Sequence, residues 1–261
     1  MPITGHFGAD VTGVDLRAID DATLAELVDR LHEHLVLFFH DQSLDDGAQL
    51  DLARRIGEPY MHPIALEFGA RDALVEHIID DEQHRPFQDH WHTDISWIGT
   101  PPTYGFLRAI ELPPTGGDTC WLDARAAHDT LPDELRDRVD ALAAHHHIGM
   151  GTAFSDKAGD DTMRSVREKF PGVKHPVVTT HPPSGRKCLY VNEGFTDSIG
   201  GDDGILLGQL LHHLRTPNIQ LRHSWRAGDV VIWDERATQH YAVADFWSAR
   251  REMARITIGA R

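Results

Sequence analysis

The sequence predicts a mainly β fold with flanking helices, built on a double-stranded β-helix (jelly-roll) core. Roughly eight segments carry strand-like patterns, and helical patterns gather near the N-terminus and at crossings between strands. A double-sheet jelly roll presents inward side chains from facing sheets, so it can enclose a pocket. The chain has 261 residues, no internal repeat and no obvious linker, which predicts a single domain over residues 1–261.

The N-terminal part predicts strands and amphipathic helices in alternation. Residues 7–16 suggest a short hairpin or bent strand, and leucines at helical spacing predict a helix over residues 22–35. The apolar run 36–39 is typical of a buried strand, and a second helix is expected over residues 45–56. The irregular segment 59–69 is expected to fold over a pocket mouth.

The rest of the chain is dominated by strands. The histidines 145–147 are expected in a strand edge or loop, and the polar segment 149–171 is expected to be a mobile lid. Residues 115–121 are expected to form a turn that leads into a strand. The remaining expected elements are strands at 104–109, 177–180, 188–191, 229–234, 239–244 and 253–259, and helices within 123–144 (with a break at 131–132) and at 206–214.

Composition restricts the partners and the compartment. The formal net charge of −16 would repel a phosphate backbone, so neither nucleic acid nor an anionic membrane surface is expected as a partner. No apolar run approaches a membrane span and no signal peptide is evident, so we expect a cytoplasmic protein. Cys120 and Cys188 lie far apart in the chain, which suggests neither a disulfide framework nor a cysteine zinc site.

His92 and Asp94 form the most informative short motif, within the segment WHTDISW. On an extended strand, residues separated by one position point to the same face, so this pair offers two ligands to a divalent metal. His240 is the best candidate for a third ligand. Two histidines and one carboxylate with open positions are typical of non-haem Fe(II) oxygenases. By itself, however, a His-X-Asp pair also occurs by chance.

Arg251 and Arg255 provide an independent signal near the C-terminus. On a strand they share one face, and both faces carry apolar residues, which predicts an interior strand. An interior arginine requires an anion, and guanidinium suits carboxylate, phosphate or sulfonate groups. Two such arginines suggest one anionic cosubstrate and one anionic substrate; the open alternative is a structural ion pair with Asp or Glu side chains.

Taken together, the motifs resemble the taurine dioxygenase family of Fe(II)/2-oxoglutarate-dependent dioxygenases. The resemblance extends in order over nearly the whole chain. It is carried by WHTDISW (91–97), GGDTCW (116–121), HPVVTTHPPSGRKCLYVNEGFT (175–196), GDVVIWDERATQHYAVADF (228–246) and RREMARITI (250–258).

The resemblance implies a role for each matching position. It implies that His92, Asp94 and His240 bind Fe(II), and that Thr119 and Arg251 hold the distal carboxylate of the cosubstrate 2-oxoglutarate. Together with O2, these cofactors imply a dioxygenase that releases succinate and CO2. It further implies a substrate site and a homo-oligomer; the implied substrate-binding residues are His62, Gln88, Ile95 and Arg255.

Three departures from the family pattern bear on the substrate. Glu235 stands where Asn is typical, Ala254 where His is typical, and the segment 63–66 lacks an aromatic hydrogen-bonding residue. A more apolar pocket favours a small anionic organic substrate such as an alkyl sulfonate or alkyl sulfate over taurine. The alternatives are a hydroxylase or desaturase of an amino-acid-like or phenoxyacetate-like acid, a non-catalytic small-acid-binding protein and a zinc hydrolase.

Overall fold

The computed structural model describes residues 1–5, 7–67, 74–86, 88–148 and 160–260. Its helices are α1 (Asp21–His34), α2 (Asp46–Ile56), α3 (Pro63–Glu67), α4 (Ala124–Asp129), α5 (Asp133–Val139), α6 (Asp160–Lys169) and α7 (Ile205–Leu214). Its strands are β1 (Ala9–Val11), β2 (Val36–Phe39), β3 (Glu58–Pro59), β4 (Glu76–Asp80), β5 (Tyr104–Glu111), β6 (Thr119–Asp123), β7 (Ala143–His146), β8 (Val173–Pro176), β9 (Val178–Thr180), β10 (Lys187–Leu189), β11 (Thr196–Ile199), β12 (Gln220–His223), β13 (Val230–Asp234), β14 (Thr238–Ala242) and β15 (Arg251–Gly259).

A seven-stranded sheet forms one wall of the fold. Its order is β1-β2-β13-β5-β15-β3, and β4 pairs with β15 on the edge that β3 also uses. All pairings are antiparallel except that of β1 with β2. The nine-residue strand β15 therefore lies inside the sheet, as the apolar residues on both of its faces predict.

A three-stranded sheet, β12-β6-β14, faces this wall. The ring of Trp121 on β6 contacts Phe38 and Trp233 of the large sheet, at centroid distances of 5.6 and 5.8 Å. Burial of these aromatic side chains against each other supplies the apolar driving force that holds the two sheets together. The arrangement is the jelly roll that the strand count predicts.

Helices α1 and α2 cover the outer face of the large sheet. Their inward leucines pack with Phe39, Phe106 and Ile256 in a second apolar cluster. Each helix begins with a capping aspartate. The Asp20 carboxylate accepts a hydrogen bond from the Thr23 N–H at the start of α1, and the Asp45 carboxylate accepts one from the Ala48 N–H at the start of α2. Both predicted N-terminal helices are thus confirmed.

Several expectations need correction. The histidines 145–147 were expected at a strand edge or in a loop, but His145 and His146 lie in β7, the central strand of a third sheet, β11-β7-β8. His147 follows the strand, as the loop alternative allows. Strands β3, β4, β8, β11 and β12 were not predicted. Only the short β1 forms within residues 7–16. Residues 149–159 of the expected lid lie outside the described residues, and residues 160–169 form α6. No helix in the described ranges is long and apolar enough to cross a membrane.

Candidate active site

His92, Asp94 and His240 converge at one buried point of the jelly roll. Their potential ligand atoms all lie within 4.8 Å of one another. The Nε2 atoms of His92 and His240 are 3.6 and 3.8 Å from Oδ1 of Asp94. One side-chain atom from each residue therefore faces a common centre, as a metal site of two imidazoles and one carboxylate requires.

The backbone fixes this convergence across 148 positions of the sequence. The His92 N–H donates to the His240 carbonyl at 3.0 Å, and the His240 N–H donates to the His92 carbonyl at 2.8 Å. This isolated bridge attaches the motif to β14. The expectation of a regular strand through the motif was wrong, since Asp94 lies in a turn and Ile95 has a left-handed φ of 53°. The turn nevertheless keeps Asp94 beside His92.

The histidine tautomers fit a metal ion. The Nδ1 of His92 lies 2.9 Å from the His90 carbonyl, which only accepts, so Nδ1 carries the proton of the neutral ring and Nε2 keeps its lone pair. That Nε2 is buried and has no hydrogen-bond partner among the described residues. Burial, reinforced by His240, lowers the pKa of His92 well below its usual range, and burial lowers the pKa of His240 to about 3. Both rings are therefore neutral at pH 7, which is the form in which an imidazole can coordinate a metal.

Glu235 stabilises the turn that carries Asp94 through its carboxylate. Its carboxylate accepts the backbone N–H of Asp94 at 3.1 Å and the indole N–H of Trp233 at 2.6 Å. It is 1% exposed, and burial followed by the proximity of Asp94 raises its pKa well above the usual value. Glu235, which departs from the family pattern, thus connects the turn that carries Asp94 to β13.

Arg251 and Thr119 line a narrow cavity that also contacts His240. Arg251 is 4% exposed, its Nε has no hydrogen-bond partner among the described residues, and its Nη1 is 3.9 Å from Oδ2 of Asp80. Burial lowers the pKa of Arg251 to about 10, so it remains charged at pH 7. The Thr119 hydroxyl accepts from Trp225 Nε1 at 2.9 Å, which leaves its own proton free to donate. This pair suits an incoming carboxylate.

Arg255 is also buried, but it already has anionic partners. Its Nη2 donates to Oε2 of Glu76 at 2.8 Å, and its Nη1 lies 3.1 Å from both oxygens of Asp94. Burial acts to lower its pKa, but Asp94 and Glu76 outweigh that effect and raise it. The structural ion pair that the sequence left open is therefore present for Arg255.

A cavity of about 310 Å³ is lined in part by His92 and Asp94. His62, Gln88, Ile95 and Arg255, the four residues expected at the substrate, all line it. The Ile64 N–H donates to Nδ1 of His62 at 3.3 Å, so the neutral ring carries its proton on Nε2 and can donate to an anion. The wall is largely apolar; its other hydrophobic residues are Ile64, Ala65, Ile78, Ile79, Trp97, Ile148 and Phe195.

Sequence reasoning missed two acidic residues that face the arginines. Glu76 and Asp80 lie on β4 directly opposite Arg255 and Arg251 in the strand register. A detectable signal existed, because the two acids have the same spacing of four as the two arginines. Because β4 was not predicted as a strand, its pairing with β15 was not predicted either.

A family model described as "Taurine catabolism dioxygenase TauD, TfdA family" matches residues 1–257. The chain is 33% identical to an alkylsulfatase of Acinetobacter baylyi, over 98% of this chain and 83% of that protein. It is 35% identical to an alpha-ketoglutarate-dependent sulfate ester dioxygenase of Pseudomonas putida, over 98% of this chain and 88% of that protein.

Other comparisons extend this group. The chain is 32% identical to an alpha-ketoglutarate-dependent 2,4-dichlorophenoxyacetate dioxygenase of Cupriavidus pinatubonensis, over 98% of this chain and 96% of that protein. A crystal structure described as a putative alpha-ketoglutarate-dependent taurine dioxygenase from Burkholderia xenovorans superimposes with a TM-score of 0.82 at 30% identity. That superposition covers 100% of this chain and 92% of the other.

Proposed function

The chain belongs to the taurine catabolism dioxygenase family TauD, TfdA, an Fe(II)- and 2-oxoglutarate-dependent class, and from that premise we propose that it hydroxylates a small organic sulfate or sulfonate. The observation that carries the proposal is the convergence of His92, Asp94 and His240 beside a buried arginine and an apolar cavity. Family membership also favours an enzyme over a non-catalytic acid-binding protein or a zinc hydrolase.

His92, Asp94 and His240 would hold Fe(II) as neutral imidazoles and a carboxylate. The His90 carbonyl orients the His92 ring, and Glu235 orients the turn that carries Asp94. When bound, Fe(II) with 2-oxoglutarate and O2 supplies the oxidation of a substrate C–H bond, with release of succinate and CO2.

Arg251 and Thr119 would bind the distal carboxylate of 2-oxoglutarate. Arg251 suits this role because it is buried and charged, and its Nε has no hydrogen-bond acceptor among the described residues. A carboxylate placed there converts an unfavourable buried charge into a charge-assisted pair. Because His240 lines the same cavity, a cosubstrate held by Arg251 and Thr119 would lie beside it.

His62 and Arg255 would bind the sulfate or sulfonate group, and the apolar wall would receive the alkyl chain. Because His62 and Ile95 line the same cavity as Asp94, a bound anion and its nearest carbon atoms lie beside the metal-facing residues. The apolar wall of the cavity also limits access of water to the reacting carbon. Gln88 contributes an amide to both cavities and is placed to orient the substrate between them.

The test is turnover of a substrate panel by the purified protein with Fe(II), 2-oxoglutarate and O2. The panel contains alkyl sulfates and alkyl sulfonates of four to twelve carbons, matched alkanoates and phenoxyacetate. We expect succinate formation coupled one to one to release of sulfate or sulfite, and loss of both in His240→Ala. Succinate formation with the carboxylates alone would contradict an organic sulfate or sulfonate as the substrate and assign a carboxylate instead. Absence of succinate formation with every acid of the panel would overturn the proposal.

A further inference from the structure

Strand β4 places one carboxylate opposite each of the two site arginines. In the antiparallel register, Arg251 lies opposite Asp80 and Arg255 opposite Glu76. Directly paired residues on one sheet face have Cβ atoms about 5 Å apart, within reach of an ion pair. The register of β4 on β15 therefore assigns an internal acid to each arginine.

The Arg251–Asp80 and Arg255–Glu76 pairs differ in the distance between their charged groups. Arg251 Nη1 is 3.9 Å from Asp80, beyond hydrogen-bond distance, and its Nε has no hydrogen-bond partner among the described residues. In contrast, Nε and Nη2 of Arg255 donate to Oε2 of Glu76 at 3.2 and 2.8 Å. The cosubstrate arginine is thus accessible to a second anion, whereas the substrate arginine is held by Glu76.

This contact changes the charge that a substrate meets. Nη1 of Arg255 is additionally 3.1 Å from both oxygens of Asp94, so two carboxylates surround one guanidinium. A sulfate that approached Arg255 with Glu76 in place would gain little net attraction and would face like-charge repulsion. The anion and the Glu76 carboxylate therefore compete for the same donors.

The Glu76 side chain has space to move away from Arg255. Its side chain is 40% exposed, compared with 5% for Arg255. Since Glu76 lines the large cavity, its carboxylate can leave the guanidinium without unfolding the strand. Water can solvate the released carboxylate, whereas the buried Arg255 would keep only Asp94 as an anionic partner. Its Nε and Nη2 donors, which Glu76 now occupies, would then be free for a replacement anion.

We infer that Glu76 is a specificity-determining residue: an internal counter-ion of Arg255 that the anionic group of the substrate must displace. This inference rests on the proposed function. It predicts that the intact enzyme excludes anions without an apolar tail, since burial of the tail in the cavity supplies the free energy that offsets the exchange. The apolar wall beside Glu76 argues against a second role as a receptor for an ammonium group.

The experiment measures binding of octyl sulfate to the anaerobic protein loaded with Fe(II) and 2-oxoglutarate. Wild type, Glu76→Gln and the control Glu82→Gln are compared by calorimetry. Glu82 is exposed in the turn after β4, so its variant removes the same charge away from the cavity. We expect at least a tenfold lower Kd in Glu76→Gln, no change beyond twofold in Glu82→Gln, and an unchanged Kd for 2-oxoglutarate in both.

An unchanged or higher Kd for octyl sulfate in Glu76→Gln, in a protein whose wild type turns over alkyl sulfates, would overturn this inference alone. Absence of any turnover by wild type would overturn the proposed function and this inference with it. If Glu76→Gln does not fold, Glu76→Asp carries the test, because its shorter side chain withdraws the charge from Arg255. It should lower the Kd at least threefold, and a smaller change would contradict the inference.

Discussion

Replacement of Arg251 by Gln should abolish tight binding of 2-oxoglutarate. The guanidinium is 4% exposed and its Nε has no hydrogen-bond partner among the described residues, so a bound carboxylate would form its main ionic contact. Removal of one partner from a buried hydrogen-bonded charge pair costs about 2–5 kcal/mol. A mid-range loss of about 3 kcal/mol corresponds to a Kd about 100-fold higher.

Equilibrium dialysis of labelled 2-oxoglutarate against the anaerobic Fe(II)-loaded protein measures this effect. Arg250→Gln is the matched control, because Arg250 precedes Arg251 but is 41% exposed and pairs with Glu111 and Glu252. Its Kd should stay within twofold of wild type. A rise below threefold in Arg251→Gln, with Fe(II) binding and fold intact, would refute the assignment of Arg251 to the cosubstrate.

Three other perturbations follow from the same geometry. Glu235→Ala leaves the Asp94 N–H and the Trp233 indole N–H without their acceptor and should lower the free energy of unfolding by about 2 kcal/mol in urea denaturation, whereas Glu235→Gln should lose less. Burial lowers the pKa of His146 from 6.5 to about 3, so the unfolded chain binds more protons between these values and stability must fall as pH falls below 6.5. At pH 5 that loss is about 2 kcal/mol, and urea denaturation of His146→Gln should show a correspondingly weaker pH dependence. Ala65→Trp places an indole in the cavity and should raise KM for dodecyl sulfate far more than for butyl sulfate; equal effects on both would contradict the placement of the alkyl chain.

Much of the fold can be predicted from the sequence, because helix-capping residues and apolar patterns agree with the tertiary packing. The aspartates at 20 and 45 begin the two N-terminal helices, and the continuous apolar run 36–39 is buried on both faces. Strand β4 was missed because its burial comes from pairing with a strand 175 positions away, which leaves no strong alternation in its own residues. For the same reason, the pattern around His145 did not indicate that β7 lies between two other strands.

The site was predictable where chemistry requires particular residue types. His92, Asp94 and His240 are recognisable by their order in the motifs, and the structure brings them together. The orientation of their rings was not predictable, because it depends on the His90 carbonyl and on the bridge to β14. The pairing of Arg255 with Glu76 requires the strand register, which only the folded chain supplies. The homo-oligomer and the cytoplasmic location stay predictions.

The proposed Fe(II) site combines two imidazoles and one carboxylate at one point. Anaerobic equilibrium dialysis with Fe(II) tests it directly for wild type, Asp94→Asn, His240→Ala and the control His84→Ala, whose imidazole is exposed in the turn after β4. One Fe(II) per chain is expected in wild type and in His84→Ala, with at least a hundredfold weaker binding in the other two. Wild-type protein that binds no Fe(II), or His240→Ala that binds it as tightly as wild type, would contradict the account.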